Sequence, residues 1–285
     1  LRSEYNFSVA GSTDKLNAYM SAGYLDDSGL VSGSGFQRFT SRVKLDYQAK
    51  EWLKIGVNSA YTYYDSQSPG SQTSWGSSGN LFYVTNMISP IYPMYVRNAD
   101  GTIKVDNRGI TVYDFGGSST NFTRSFMALS NPAITLKLDK HHAYTDVVNT
   151  KWYATANLLE GLQFTATLSA NVRNQRENHL YNQFYGGSVG SEGAVSVSHY
   201  REFGVNQQYL LTYKKKIATN HNIDLFAGYE SYNLKLQDLG GSNTKLYNPF
   251  VGELNNAIQT PPSVYSYTNE YSLVGLLARA QYDYK

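Results

Sequence analysis

Phe36-Gln37-Arg38-Phe39-Thr40-Ser41-Arg42-Val43-Lys44-Leu45-Asp46-Tyr47-Gln48-Ala49 decides the fold class. Alternate positions carry Arg38, Thr40, Arg42, Lys44, Asp46 and Gln48, while Phe39, Val43, Leu45 and Tyr47 fall between them with Ser41 as their single hydroxyl. Period 2 puts these sets on opposite faces of a strand, and helical spacing does not fit. Working outward, Leu53, Ile55, Val57, Tyr61 and Tyr63 alternate with Lys54, Gly56, Asn58, Ala60 and Thr62. Further on, Leu162, Phe164, Ala166, Leu168, Ala170 and Val172 alternate with Gln163, Thr165, Thr167, Ser169, Asn171 and Arg173. Strands of soluble sandwiches run about 5–6 residues, whereas these run about 12 or more, long enough to cross a bilayer when tilted.

Composition agrees with that length. Only 16% of the 285 residues are charged, 14% are aromatic and 26 are Tyr, yet the mean hydropathy is −0.43. A wall with one face in lipid and the other in water has this mixture. With 24 Lys and Arg against 22 Asp and Glu, the net charge of +2 offers no concentrated basic face for nucleic acid. No apolar stretch reaches the roughly 18 residues of a membrane-spanning helix, and the run Leu273 to Ala278 is broken by Gly275. Cys is absent, which excludes a disulfide scaffold and thiol chemistry. Leu1 opens directly into strand-like sequence, so a signal peptide, if the protein is exported, is expected outside the chain.

The links form an alternating series. Short ones fall near Gly11–Asp14, Ala49–Glu51, Leu159–Gly161 and Ala218–Asn222; longer ones span Asp26–Gly35, 65–140, Gly186–His199 and Gly240–Thr268. Outer-membrane barrels alternate tight periplasmic turns with extended outer loops in this way. About nine strands result, too few to close a large barrel, and an odd count where bacterial barrels are even suggests a fragment. The expected architecture is all-β: residues 1–285 form part of a transmembrane antiparallel barrel, with 65–140 as a long extracellular loop insertion. That segment opens with Ser/Gly-rich sequence over Ser66–Asn80 and turns aromatic over Leu81–Tyr95, where Pro90 and Pro93 exclude a regular helix or central strand. Loops beyond about 12–15 residues are usually functional or disordered.

Several sequence stretches carry a family resemblance. Tyr5-Asn6-Phe7-Ser8-Val9-Ala10-Gly11-Ser12-Thr13-Asp14-Lys15 and its continuation from Ala18 to Leu30 resemble the SusC/RagA-type TonB-linked outer-membrane proteins. The patterns F-x-R-F-T-x-R-x-x-L-D from Phe36 to Asp46 and W-L-K-I-G-V-N from Trp52 to Asn58 are similar to theirs. So are Ser89-Pro90-Ile91-Tyr92-Pro93 and the closing strand from Gly275 to Lys285. The resemblance implies a 22-stranded barrel filled by an N-terminal plug and driven by the TonB system through a region absent from this sequence. It further implies a SusD-like surface lipoprotein as a lid, outer-membrane lipid around the wall, and an oligosaccharide or peptide as cargo. A passive porin is the alternative within the membrane, and an extracellular β-rich adhesion domain is the alternative outside it.

Catalytic signatures are missing: no nucleophile elbow, no H-E-x-x-H, no phosphate-binding loop. No catalytic residue, cofactor or metal ligand is assigned, and an enzyme is not expected. Adjacent His141 and His142 would point to opposite faces, while His179, His199 and His221 stand alone in sequence and read as solvated. The alternation assigns Phe39, Val43, Leu45, Ile55, Val57, Leu168 and Val172 to lipid, and Arg38, Arg42 and Lys44 to the lumen as polar lining. Trp75, Phe82, Tyr83, Tyr92 and Tyr95 are the candidates for cargo or lid contact, against loop packing or an aromatic girdle as their ordinary role.

Overall fold

The computed structural model describes residues 1–69, 80–116, 123–125, 131–185, 187–217 and 220–284. Nine strands form one sheet in sequential order, each antiparallel to the next. They are β1 (Arg2–Ser12), β2 (Leu16–Ser28), β3 (Gly35–Lys50), β4 (Leu53–Gln67), β5 (Lys140–Leu159), β6 (Leu162–Tyr181), β7 (Ala194–Ile217), β8 (His221–Thr244) and β9 (Ser263–Tyr284). Two short helices, α1 (Leu81–Met87) and α2 (Pro132–Leu138), sit in the long link between β4 and β5.

Local chemistry explains the short turns. At β1–β2, the Thr13 N–H donates to the Leu16 carbonyl at 2.8 Å, and the Thr13 hydroxyl accepts from the Leu16 N–H at 3.1 Å. At β5–β6, Gly161 takes a φ of +77°, and a Cβ there would stand 2.0 Å from the Lys214 carbonyl oxygen. Only glycine satisfies both conditions without displacing β7.

The ladder register keeps the two residue sets apart across every strand. Val43 pairs with Met20 and Ser59, Leu45 with Ala18 and Val57, and Val57 in turn with Trp152. Trp152 pairs with Leu168, and Val148 with Val172. Phe39, Val43, Leu45, Ile55, Val57, Leu168 and Val172 therefore share one apolar face. The other face carries Arg38, Arg42 and Lys44 with Asn58, Lys151, Asn171 and Asn206.

On β7 the apolar face runs from Tyr213 through Leu211, Tyr209 and Val205 to Phe203, interrupted by Gln207, and ends at Arg201. That is about 33 Å along the strand, or about 25 Å at a tilt of about 40°. On β8 and β9 the same face turns charged at the level of Phe203, where Lys235 bridges Glu270 at 2.9 Å.

All four of the longer links prove shorter than the sequence suggests, spanning 29–34, 68–139, 182–193 and 245–262. β6 runs to Tyr181 and β7 starts at Ala194, while β8 continues to Thr244 and β9 starts at Ser263. Above the apolar band no single face stays apolar, since Val195 and Val197 of β7 lie on one face and Leu234 and Leu236 of β8 on the other, although the ladder continues.

The sheet has almost no core of its own. Among the described residues, nearly all buried apolar side chains lie at the end away from the tight turns, as in the group Tyr113, Phe115 and Ile134 and the group Leu180, Val195, Leu246 and Ala257. Along the strands, large apolar side chains such as Phe7, Met20, Trp152, Leu168 and Leu276 are exposed. Contiguous apolar exposure on this scale marks a surface that meets another apolar phase.

Candidate functional site: the polar face and the mouth

Polar-face charges are paired in a chain. Lys44 and Lys54 lie 3.7 and 3.9 Å from Asp46, which also accepts from the Tyr153 hydroxyl. Arg42 Nε donates to Asn58 Oδ1 at 2.9 Å, and Arg38 stands 3.7 Å from Glu4. Between Arg42, Asn58, Lys151, Asn171, Asn206 and Tyr232 lies a concavity of about 520 Å³. Two cations, Arg42 and Lys151, and several side-chain amides line it, so it offers hydrogen bonds in both senses and a net positive charge. Such a surface suits a hydrated, hydroxyl- or amide-rich solute.

The link 68–139 is built from its caps inward. Asn80 accepts from the Tyr83 N–H at 2.9 Å and starts α1, which stops ahead of Pro90. Asn131 starts α2 in the same way, with Pro132 in the first turn. The buried Asn131 amide also donates to the carbonyls of Met94 and Asp114 at 3.0 and 2.9 Å, tying α2 to the segments beside it. Those segments close a triangle of backbone bonds: Val96 N–H to Val112, Lys104 N–H to Val96, and Val112 N–H to Lys104, at 2.9–3.0 Å.

Three links then lock together. Asp106 accepts from the Arg108 guanidinium and from the N–H of Ile110, which holds its carboxyl below the ordinary value. Arg108 lies 4.1 Å over the Phe184 ring of the β6–β7 link, and Phe184 packs 6.4 Å from Phe250 of the β8–β9 link. Tyr185 stacks on Phe115 at 5.6 Å. Asp139 accepts two bonds from Asn182, while burial pushes its carboxyl up.

The five aromatic candidates do not form one cluster. Trp75 lies outside the described residues, as do 70–79 of the Ser/Gly-rich stretch. Tyr95 is committed to packing, 5.1 Å from Tyr113. Tyr92 lies beneath Arg124 at 5.9 Å and lines a cavity of about 490 Å³ with Met94, Asp114 and Asn131. Tyr83 is half-buried on α1, whereas Phe82 on the same helix is exposed. Sequence reasoning missed Arg108, Phe184 and Phe250, because the link that joins them depends on loops distant in sequence.

No family model matches the chain. Two TonB-dependent receptors of Formosa agariphila are 24% and 25% identical over 295 and 294 residues, covering 100% and 99% of this chain. The chain spans about a quarter of the length of these curated relatives, 25% and 26%. Among solved structures, the RagAB peptide transporter superposes with a TM-score of 0.73 at 18% identity, over 99% of this chain and 30% of that one. The ferric citrate transporter FecA, unliganded, superposes at 0.56 with 9% identity, over 100% of this chain and 33% of that one. The fold is that of a segment of a large transmembrane antiparallel barrel, and the relatives it matches are receptors and transporters.

Proposed function

We propose that this SusC/RagA-type barrel segment forms part of the wall and mouth of an outer-membrane importer driven by the TonB system. The observation that carries the reading is the two-faced sheet, with an apolar band about 25 Å tall, as barrels of this membrane have. In this reading Phe39, Val43, Leu45, Ile55, Val57, Leu168 and Val172 meet lipid, and Arg38, Arg42 and Lys44 line the lumen. The link 68–139 then lies outside the cell, opposite the tight periplasmic turns, and shapes the mouth beneath a SusD-like lipoprotein lid. Cargo is a peptide or an oligosaccharide. The amide-rich concavity, with Arg42 and Lys151 in its lining, supports either, and the RagAB relationship supports peptide. Phe82, exposed beside a packed loop, is the side chain best placed to stack on cargo or lid.

Growth on a candidate nutrient as sole source tests this in a strain carrying the full-length protein. Uptake should require both TonB and the 68–139 link. Uptake that persists without TonB would indicate a passive pore. Spin labels at Val43 and Leu168 that answer only to an aqueous quencher would remove the lipid assignment altogether.

A further inference from the structure

Where β4, β5 and β6 end beneath the long link, two histidines and a glutamate converge on the polar face. His141 of β5 is directly opposite His179 of β6, and Glu177 lies two residues before His179 on the same face. The imidazoles stack with centroids 3.7 Å apart and planes at 21°. His141 Nε2 is 3.0 Å from Glu177 Oε1, and His179 Nε2 is 3.8 Å from the same oxygen. Among the described residues, this is the one group of three or more such side chains whose ligand atoms all lie within 4.8 Å of one another.

We propose that His141, His179 and Glu177 bind a divalent transition cation of the imidazole-preferring kind, represented by Zn²⁺, at the root of the 68–139 link. Two imidazoles and a carboxylate are the donor set such ions take. Metal–nitrogen and metal–oxygen bonds of about 2.0–2.2 Å place neighbouring tetrahedral ligands about 3.3–3.5 Å apart, and the two observed separations straddle that figure. A modest tilt of the stacked rings makes their lone pairs converge. Ser68 Oγ sits 2.7 Å from His141 Nδ1. When Nδ1–H donates to it, Nε2 turns its lone pair toward a carboxylate oxygen, and two acceptors at that distance need a cation between them. Hydrogen-bonded support of this kind is typical behind a ligating histidine.

The side chains of His141, His179 and Glu177 are 20%, 26% and 36% exposed, so an ion can reach them while packing restrains them. Ser68 directly follows β4, and its N–H donates to the His141 carbonyl at 3.2 Å. A bound ion thus ties both stems of the link to β6, and its open positions face the lumen, where water or a cargo oxygen can occupy them. Sequence alone separated these residues by 36 and 38 positions, because the cross-strand register that joins them is not local.

The test uses the full-length protein, metal-stripped in detergent, with Zn²⁺ titrated against a chromophoric chelator. Wild type should show one site that Ca²⁺ and Mg²⁺ do not displace. His179→Ala and Glu177→Gln should each weaken it at least tenfold, Ser68→Ala by about tenfold, and His199→Ala not at all. Heat-modifiable gel mobility checks that each variant folds, and the isosteric Glu177→Gln keeps the test decisive if His179→Ala does not. Zn²⁺ should also slow protease cleavage within 68–139 in wild type but not in Glu177→Gln. Folded wild type that holds no Zn²⁺, or a folded Glu177→Gln that holds it equally tightly, overturns the proposal and leaves a hydrogen-bonded His–Glu contact.

Discussion

The ring of Tyr153 lies across Gly56 on the neighbouring strand, so close that a Cβ at position 56 would stand 2.4 Å from it. From there the Tyr153 hydroxyl reaches Asp46 one strand further on, joining β3, β4 and β5 on the polar face. Gly56→Val should displace the ring and break that bond, costing about 1–3 kcal/mol as overpacking does. Tyr153→Phe should cost less, since the ring still covers the glycine. Denaturant unfolding of the folded barrel compares the two. Equal stability of Gly56→Val and wild type would mean that the ring moves aside freely.

Gly161 is constrained by conformation as well as space. Alanine there must adopt a positive φ and press on the Lys214 carbonyl, so Gly161→Ala should lose more than the roughly 1–2 kcal/mol of the conformational term alone. Slower assembly in vesicles is the measurable consequence, while alanine at Gly187, where nothing lies within 4 Å of an added Cβ, should assemble normally.

The face assignment predicts an asymmetry between adjacent residues. Val43→Arg places a charge on the apolar face between Met20 and Ser59 and should cost about 2–4 kcal/mol near the bilayer midplane. Arg42→Ala loses one hydrogen bond to Asn58 and should leave assembly largely intact. Surface expression and heat-modifiability report both, and comparable tolerance would reverse the faces.

Acid should loosen the junction of the three links. The Asp106 carboxyl lies below its ordinary value of 3.8 because the Arg108 guanidinium and the Ile110 N–H bind its ionised form. A depressed carboxyl stabilises the fold above the unfolded value, and that contribution is lost as pH falls through the folded one. Protection of the Ile110 amide, its exchange rate relative to the intrinsic rate at each pH, should therefore fall as acid protonates Asp106 below its ordinary value, and Asp106→Asn should lack that protection already at neutral pH. Arg108→Ala should produce the same release through loss of the Phe184 contact. Protection that does not change with pH would show that the turn is held by its backbone alone.

Two aromatics in the long link separate packing from recognition. Tyr95→Ala removes the contact with Tyr113 and should raise protease sensitivity across the link. Phe82→Ala removes an exposed ring and should leave sensitivity unchanged while lowering uptake. A Phe82 variant with unchanged uptake would withdraw that residue from any contact role.

Sequence by itself determined the meander and its two faces. The alternation around Val43, Ile55 and Leu168 is local and repeats on every strand, and short links force consecutive strands to pair antiparallel. It also set the boundaries of the long link to within a few residues, since Pro90, Pro93 and the Ser/Gly run leave no strand there. The tertiary structure alone decided what the strands do above the apolar band, where apolar residues such as Val195 and Leu236 fall on opposite faces and no longer mark one wall, although β7 and β8 reach 24 residues each. Register likewise decided that Tyr153 covers Gly56, across a long link that fixes no offset, and that His179 stacks on His141, where a bulge between Asn157 and Leu159 shifts the β5–β6 pairing by one residue. The junction of Arg108, Phe184 and Phe250 joins three links separated by scores of residues. Side chains so far apart in the chain meet only after the barrel wall has brought the link ends to one rim, so no local pattern records their contact.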